Sequence, residues 1–120
     1  MDFSENKPIY KQIIDYCYMQ IVGGVWLPDL RMPSIKELSV AMSVNNRTVL
    51  KAFDDMQSEN VIYQKRGLGY YVSPDAIANI NRVKREEFFA STLPEFLREM
   101  RTAGIEPDDV VPLLRNSRTE

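Results

Sequence analysis

Residues 32–56 read MPSIKELSVAMSVNNRTVLKAFDDM, and two helix starts lie within them. Ser34 and Glu37 fit the capping box, in which each side chain satisfies the other residue's orphan N–H group. Ile35, Leu38, Ala41 and Met42 then mark the expected buried face of a short helix. Ser43-Val44-Asn45 follows, and asparagine is a strong N-cap, so a second helix is expected from there to roughly Asn60. Its inner face is Val49, Ala52, Phe53 and Met56, spaced i, i+3, i+4, i+7. Two helices across a three-residue turn make a helix-turn-helix layout. Taken alone, the same pattern also fits an αα-hairpin without a nucleic-acid partner.

Just downstream, Val61 to Gln64 are β-prone, Lys65 to Gly69 read as a turn, and Tyr70-Tyr71-Val72 are β-prone again before Pro74. A phosphate-cradling G-x-G would need a helix after its glycines. A strand follows here instead, so Gly67 and Gly69 mark the tip of a hairpin. A hairpin behind a helix-turn-helix is a wing, and Lys65 and Arg66 lie where it would meet the DNA backbone or minor groove. The plainer reading is a solvated turn. Tyr63, Tyr70 and Tyr71 are expected to pack within the hairpin rather than stack on bases.

Upstream, Pro8 opens a helix with the apolar stripe Ile9, Ile13, Cys17 and Ile21, with Ile14 beside it, and Gly23-Gly24 ends it. Cys17 reads as a small core residue, because no basic neighbour would activate its thiol. Val25 to Pro33 is expected to be a loop or short extended segment with Trp26 and Leu27 buried under it.

Composition narrows the chemistry. The 120 residues contain no histidine and one cysteine, which removes the commonest general base and any thiolate zinc site. The pairs Asp54-Asp55 and Asp108-Asp109 read as solvated faces. No enzyme activity, cofactor or metal is expected. No apolar run approaches a membrane span, residues 1–10 lack a signal-peptide layout, and a lone cysteine suits a reducing cytoplasm. The net charge is −2, but residues 31–72 carry six basic side chains against four acidic ones. The basic charge therefore gathers in the middle of the chain, where distribution matters more than the total.

Residues 76–120 turn helical again. Ile77, Ile80 and Val83 start a helix, and the charges from Arg82 to Glu87 read as its solvated face, with further DNA contact as the alternative. Phe89, Leu93, Phe96, Leu97 and Met100 form a stripe that Pro94 is expected to kink or divide. Gly104 is a stop, and Glu106-Pro107-Asp108-Asp109 resembles a helix start. Val110, Val111, Leu113 and Leu114 are the apolar side of that helix, interrupted by Pro112. Short helices cannot bury this many large side chains among themselves. Burial against a second copy is the economical expectation, and packing against the first helix is the alternative. Such a tail is too short to enclose a ligand pocket of about 300–1,000 Å³ unless two chains share it. Any small-molecule effector is left unidentified.

The stretches PIYKQI (8–13), MPSIKEL (32–38), VNNRTVLKAFDDM (44–56) and VIYQKRGLGYYV (61–72) together resemble the DNA-binding domain of the GntR family of bacterial transcription regulators. The opening and the short tail are similar to the YtrA-type subfamily. The resemblance implies a basic DNA contact at Lys36, where the family has arginine. It implies a recognition helix contributing Asn45, Asn46, Arg47, Thr48 and Lys51, and a wing contributing Arg66 and Gly67. Many relatives carry arginine where this chain has Asn46 or Leu50, so base readout differs in detail. By their chemistry, Ser34, Lys36, Thr48 and Lys51 suit phosphates. Asn46 and Arg47 suit base edges in the major groove.

The expected architecture is α+β and mostly α: a winged helix-turn-helix domain over residues 1–75 and a helical dimerisation tail over 76–120. The tail's dimer contacts would come from Phe89, Leu93, Phe96, Leu97, Met100, Val110, Leu113 and Leu114. The expected function is that of a cytoplasmic homodimeric regulator, a repressor as the resemblance implies, binding a palindromic operator in double-stranded DNA. The alternative is a winged-helix protein-interaction module without DNA binding, which the acidic net charge and Leu50 would suit.

Overall fold

The computed structural model describes residues 7–119; the residues before Lys7, part of the stretch read for a leader, lie outside it. The order is α1 (Ile9–Val22), α2 (Ile35–Met42), α3 (Asn46–Ser58), β1 (Ile62–Lys65), β2 (Gly69–Val72), α4 (Ala76–Glu87), α5 (Leu93–Ala103) and α6 (Pro107–Asn116). Two compact units divide the chain, the first ending at Val83 and the second beginning at Lys84. The fold is mostly helical with one two-stranded antiparallel sheet, as expected.

In the first unit, α1 and α3 pack face to face around the core. Val49, Ala52, Phe53 and Met56 are all fully buried, so the periodicity of α3 is realised at every position. Burying one such aliphatic or aromatic side chain stabilises by about 1.5–3 kcal/mol, which is why this face orients the helix. From α1 come Ile13, Ile14, Cys17, Tyr18 and Ile21. Ile9, expected on the same stripe, is exposed because it sits in the first turn, beyond the edge of the core. The Cys17 thiol is pushed up to about 12 by burial. A thiol held so far from ionisation is not nucleophilic, and Cys17 serves packing.

The hairpin pairs Ile62 with Val72 and Lys65 with Gly69, so the strands reach one residue further into the turn than their composition suggests. Ile62, Tyr70 and Val72 enter the core, and Phe53 meets Tyr70 edge to face at 4.8 Å between centroids. The segment before α2 takes the extended alternative in its second half. Its residues 29–32 run along the free edge of β2: Asp29 N donates to Val72 O (2.7 Å), Val72 N to Leu30 O (3.2 Å), and Met32 N to Tyr70 O (3.0 Å). This pairing buries Met32, while the turn closed by Leu30 N on Leu27 O leaves Leu27 and Leu30 outside. Trp26 is half-buried against Tyr16, and Leu27 is not buried at all. Ala41 is also exposed; the buried side of α2 is carried by Leu38 and Met42, with Ile35 half-buried.

The apolar core continues past Asp75. Ala76 and Ile80 are buried in it, Val83 packs against it, and Arg82 donates to the Glu59 carbonyl and carboxylate at 3.2 and 3.1 Å. Ile77 falls on the outer side of α4.

In the second unit, the chain passes through a π-helical segment, Phe88–Thr92, before α5. Pro94 supplies the cause. It has no N–H to give the carbonyl four residues back, and its ring displaces that carbonyl, so the ladder widens rather than continuing as an α-helix. Gly104 ends α5 at a φ of 68°, where a glycine carries no steric penalty. Glu106 and Asp109 close a reciprocal capping box at the start of α6, and Pro112 is accommodated inside that helix. Among the described residues, no side chain of α5 or α6 is buried.

Candidate nucleic-acid interface

Two helix starts build the site. Ser34 Oγ accepts from Glu37 N at 3.0 Å, and Glu37 Oε1 accepts from Ser34 N at 3.1 Å, completing the capping box that the sequence spells. The bond from Ser34 N, and then the Ser34 side chain, hold the Glu37 carboxyl below its ordinary value, with the nearby Arg31 guanidinium adding to them. Ser43 ends α2 in the left-handed region (φ 56°), which reverses the chain within the two residues before Asn45. Asn45 Oδ1 then accepts from Arg47 N at 2.7 Å and starts α3. The caps set both where α3 begins and which side chains occupy its first turn.

With Val49, Ala52, Phe53 and Met56 inside, the 3.6-residue period turns Arg47 and Lys51 to the opposite side of α3. Lys36, Asn46 and Arg47 are exposed and meet around one shallow cleft, lined also by Ile35 and Leu50. Thr48 is half-buried. Lys51 lies 4.2 Å from the centre of the Tyr10 ring, a cation–π contact that ties α3 to α1.

The charge order along α3 is informative. Arg47 and Lys51 occupy its N-terminal half, and Asp54, Asp55 and Glu59 its C-terminal end. Arg47 in the first turn and Asp55 in the last oppose the helix macrodipole, at a typical cost of about 0.3–1 kcal/mol per charge near a terminus. A helix arranged for its own stability would carry the opposite order. This one places a positive side chain at the end where the helix dipole already favours anions.

At the wing, Arg66 is exposed at the tip, and Lys65 lies over the Tyr71 ring at 4.4 Å. Tyr71 stacks on Tyr63 (5.7 Å), whose hydroxyl donates to Asp29 Oδ1 at 2.9 Å. Two of the three tyrosines thus brace the hairpin and the third fills the core. Gly67 has a φ of 79° and open space where a Cβ would stand. Its requirement for glycine is therefore conformational.

Arg31, a residue the sequence counted only as charge, links the two parts. Its Nε donates to the Leu68 carbonyl at the wing tip (3.2 Å), and its guanidinium reaches Glu37 at 3.6 Å. A Cβ on Gly69 would stand 3.0 Å from Arg31 Nε, so the glycine makes room for this brace. No local pattern marks Arg31, because its partners lie six and thirty-seven residues away. Among the described residues, no cluster of three or more His, Cys, Asp or Glu could hold a metal ion, and no helix is long and apolar enough to cross a membrane.

Comparison with known proteins agrees with this geometry. The HTH-type transcriptional repressor YtrA of Bacillus subtilis (strain 168) is 29% identical over 106 residues, 88% of this chain and 81% of the relative. A crystal structure of a putative GntR-family transcriptional regulator from Bacteroides thetaiotaomicron superposes with a TM-score of 0.76 at 30% identity, covering 94% of this chain and all of that one. The DNA-binding domain of AraR, solved in complex with operator ORE1, matches 60% of this chain and 90% of its own at 28% identity and a TM-score of 0.55. The family model for bacterial regulatory proteins of the gntR family matches residues 9–72, which span both helix starts and the whole wing. The chain belongs to the GntR family of DNA-binding transcription regulators.

Proposed function

We propose that this protein is a homodimeric repressor that binds an inverted-repeat operator, with α3 in the major groove and the wing at the backbone or minor groove. The observation that carries the proposal is Arg47 in the first turn of α3, set against the helix macrodipole on the exposed side it shares with Lys36 and Asn46. Asn46 and Arg47 are the base-reading residues, since asparagine matches adenine and arginine matches guanine in bidentate geometry. Lys36, Thr48 and Lys51 contact phosphates. Ser34 and Asn45 use their side-chain oxygens as caps and keep a donor each for the backbone. Lys65, Arg66 and Gly67 form the wing contact. The repressor role follows YtrA, and operator binding by this fold follows the complex of the AraR DNA-binding domain with operator ORE1.

Dimerisation is supported by the second unit. Phe89, Phe96, Leu97, Leu113 and Leu114 are exposed, and Leu93, Met100 and Val110 are only half-buried. A surface this apolar on short helices marks an interaction site, and a second copy provides a matching one by symmetry.

A gel shift on the DNA upstream of the protein's own gene tests the reading. The expected result is a discrete dimer complex, weakened by salt, whose slope of log affinity against log salt falls by about one per protomer in Arg66→Ala. Folded protein that shifts no duplex would leave the winged helix as a protein-interaction module.

A further inference from the structure

We propose that Leu50 is a specificity-determining residue that reads the C5-methyl group of a thymine in the major groove. The proposal rests on the DNA-binding reading of α3 and assigns a role to a residue that reading leaves unused. Leu50 is 41% exposed, outside the core, and follows Asn46 by four residues and Arg47 by three. It therefore shares their side of the helix. With Ile35 from the first turn of α2 it lines the cleft shared with Lys36, Asn46 and Arg47, about 280 Å³ in volume and open to solvent.

Charge selects the occupant. The rim of the cleft carries Lys36 and Arg47, with Lys51 one turn further on, so an anionic polymer is attracted to it and an apolar peptide is not. Within a major groove, thymine alone among the four bases presents a methyl group; the other edges present hydrogen-bond donors and acceptors. Leucine and isoleucine can satisfy none of those. Cytosine at the same place would leave its N4 donor desolvated and unpaired. The apolar pair thus favours thymine by contact and disfavours cytosine by desolvation.

The test uses the full-length chain. A bound sequence is first selected from a randomised duplex pool. Each thymine in it is then replaced by deoxyuridine, which removes only the methyl group, and affinity is measured by fluorescence anisotropy. Demethylation at one thymine per half-site is expected to weaken binding about fourfold, the worth of one buried methyl-sized group. The penalty should vanish in Leu50→Ala and persist in Leu50→Met, which keeps an apolar contact. Lys36→Ala should weaken thymine and uracil duplexes alike. The proposal is overturned if no thymine is sensitive to demethylation. It is equally overturned if the penalty is unchanged in Leu50→Ala, which would leave the cleft to a protein partner. A pool in which no sequence is enriched would defeat the DNA-binding reading as well, and so separates the two failures.

Discussion

Up to Ile80 eighteen apolar side chains among the described residues are buried in one core, whereas from Lys84 onward no described side chain is buried. Both regions contain amphipathic helices, and each holds a capping box, at Ser34–Glu37 and at Glu106–Asp109. The difference shows that an apolar stripe states a need for a partner without supplying one. In the first unit α1, α3 and the hairpin answer each other. In the second, α5 and α6 are too short and too few to do so, and the unmet surface is the physical ground for expecting a second chain.

Truncation should break this contrast most sharply. A chain ending at Glu87 keeps Ala76, Ile80 and the Arg82–Glu59 pair, and is expected to be folded and monomeric. It should lose roughly 10²–10⁴ in affinity for a full palindrome, because the second half-site is no longer engaged intramolecularly. Sedimentation and anisotropy on one sample check both parts; a dimeric truncation would remove the tail from the mechanism. Ending the chain at Asp75 instead should also destabilise the fold, since two buried residues are lost.

Single core substitutions sharpen the same comparison. Phe53→Ala should lower unfolding free energy by about 3–5 kcal/mol. Leu114→Ala, at an exposed tail position, should change the stability of dilute monomer by less than about 0.5 kcal/mol. It should instead raise the concentration at which dimers form. Denaturant titrations at two protein concentrations would distinguish the two behaviours.

Within the first unit, Arg47→Ala should cost about 1–3 kcal/mol on the specific operator and relax preference at one base position. Lys51→Ala should weaken all sequences alike. Competition binding against operators varied one base at a time separates these outcomes, and an unchanged preference in Arg47→Ala would withdraw its role in readout.

The smallest effect concerns the α2 cap. Glu37 is held below its ordinary value of 4.5 in the folded state, first by the bond from Ser34 N. The unfolded chain therefore binds more protons as pH falls through that region. The cap's contribution is present above pH 4.5 and is lost as pH falls through the lower folded value. Glu37→Gln should flatten that part of the acid limb of a stability–pH profile, lowering stability slightly above pH 4.5 and leaving it nearly unchanged at the acid end. An identical acid limb would show that the cap does not titrate with Glu37.

What residues 32–72 determined by themselves is local in its physics. Capping bonds span two or three residues, helix faces repeat every three or four, and a hairpin tip needs glycine where φ is positive. The two starts at Ser34 and Asn45, the buried face of α3 and the wing were therefore legible in order and nearly in register. Tertiary structure alone decided what depends on distant partners. Residues 29–32 bonded along β2 because β2 had an edge to satisfy, and that pairing buried Met32 and left Leu27 outside. Arg31 became the brace between wing and α2 because folding brought Leu68 and Glu37 to it. The core ran on to Ile80 because the first turns of α4 had an apolar surface within reach, and no run of residues near Asp75 records that proximity.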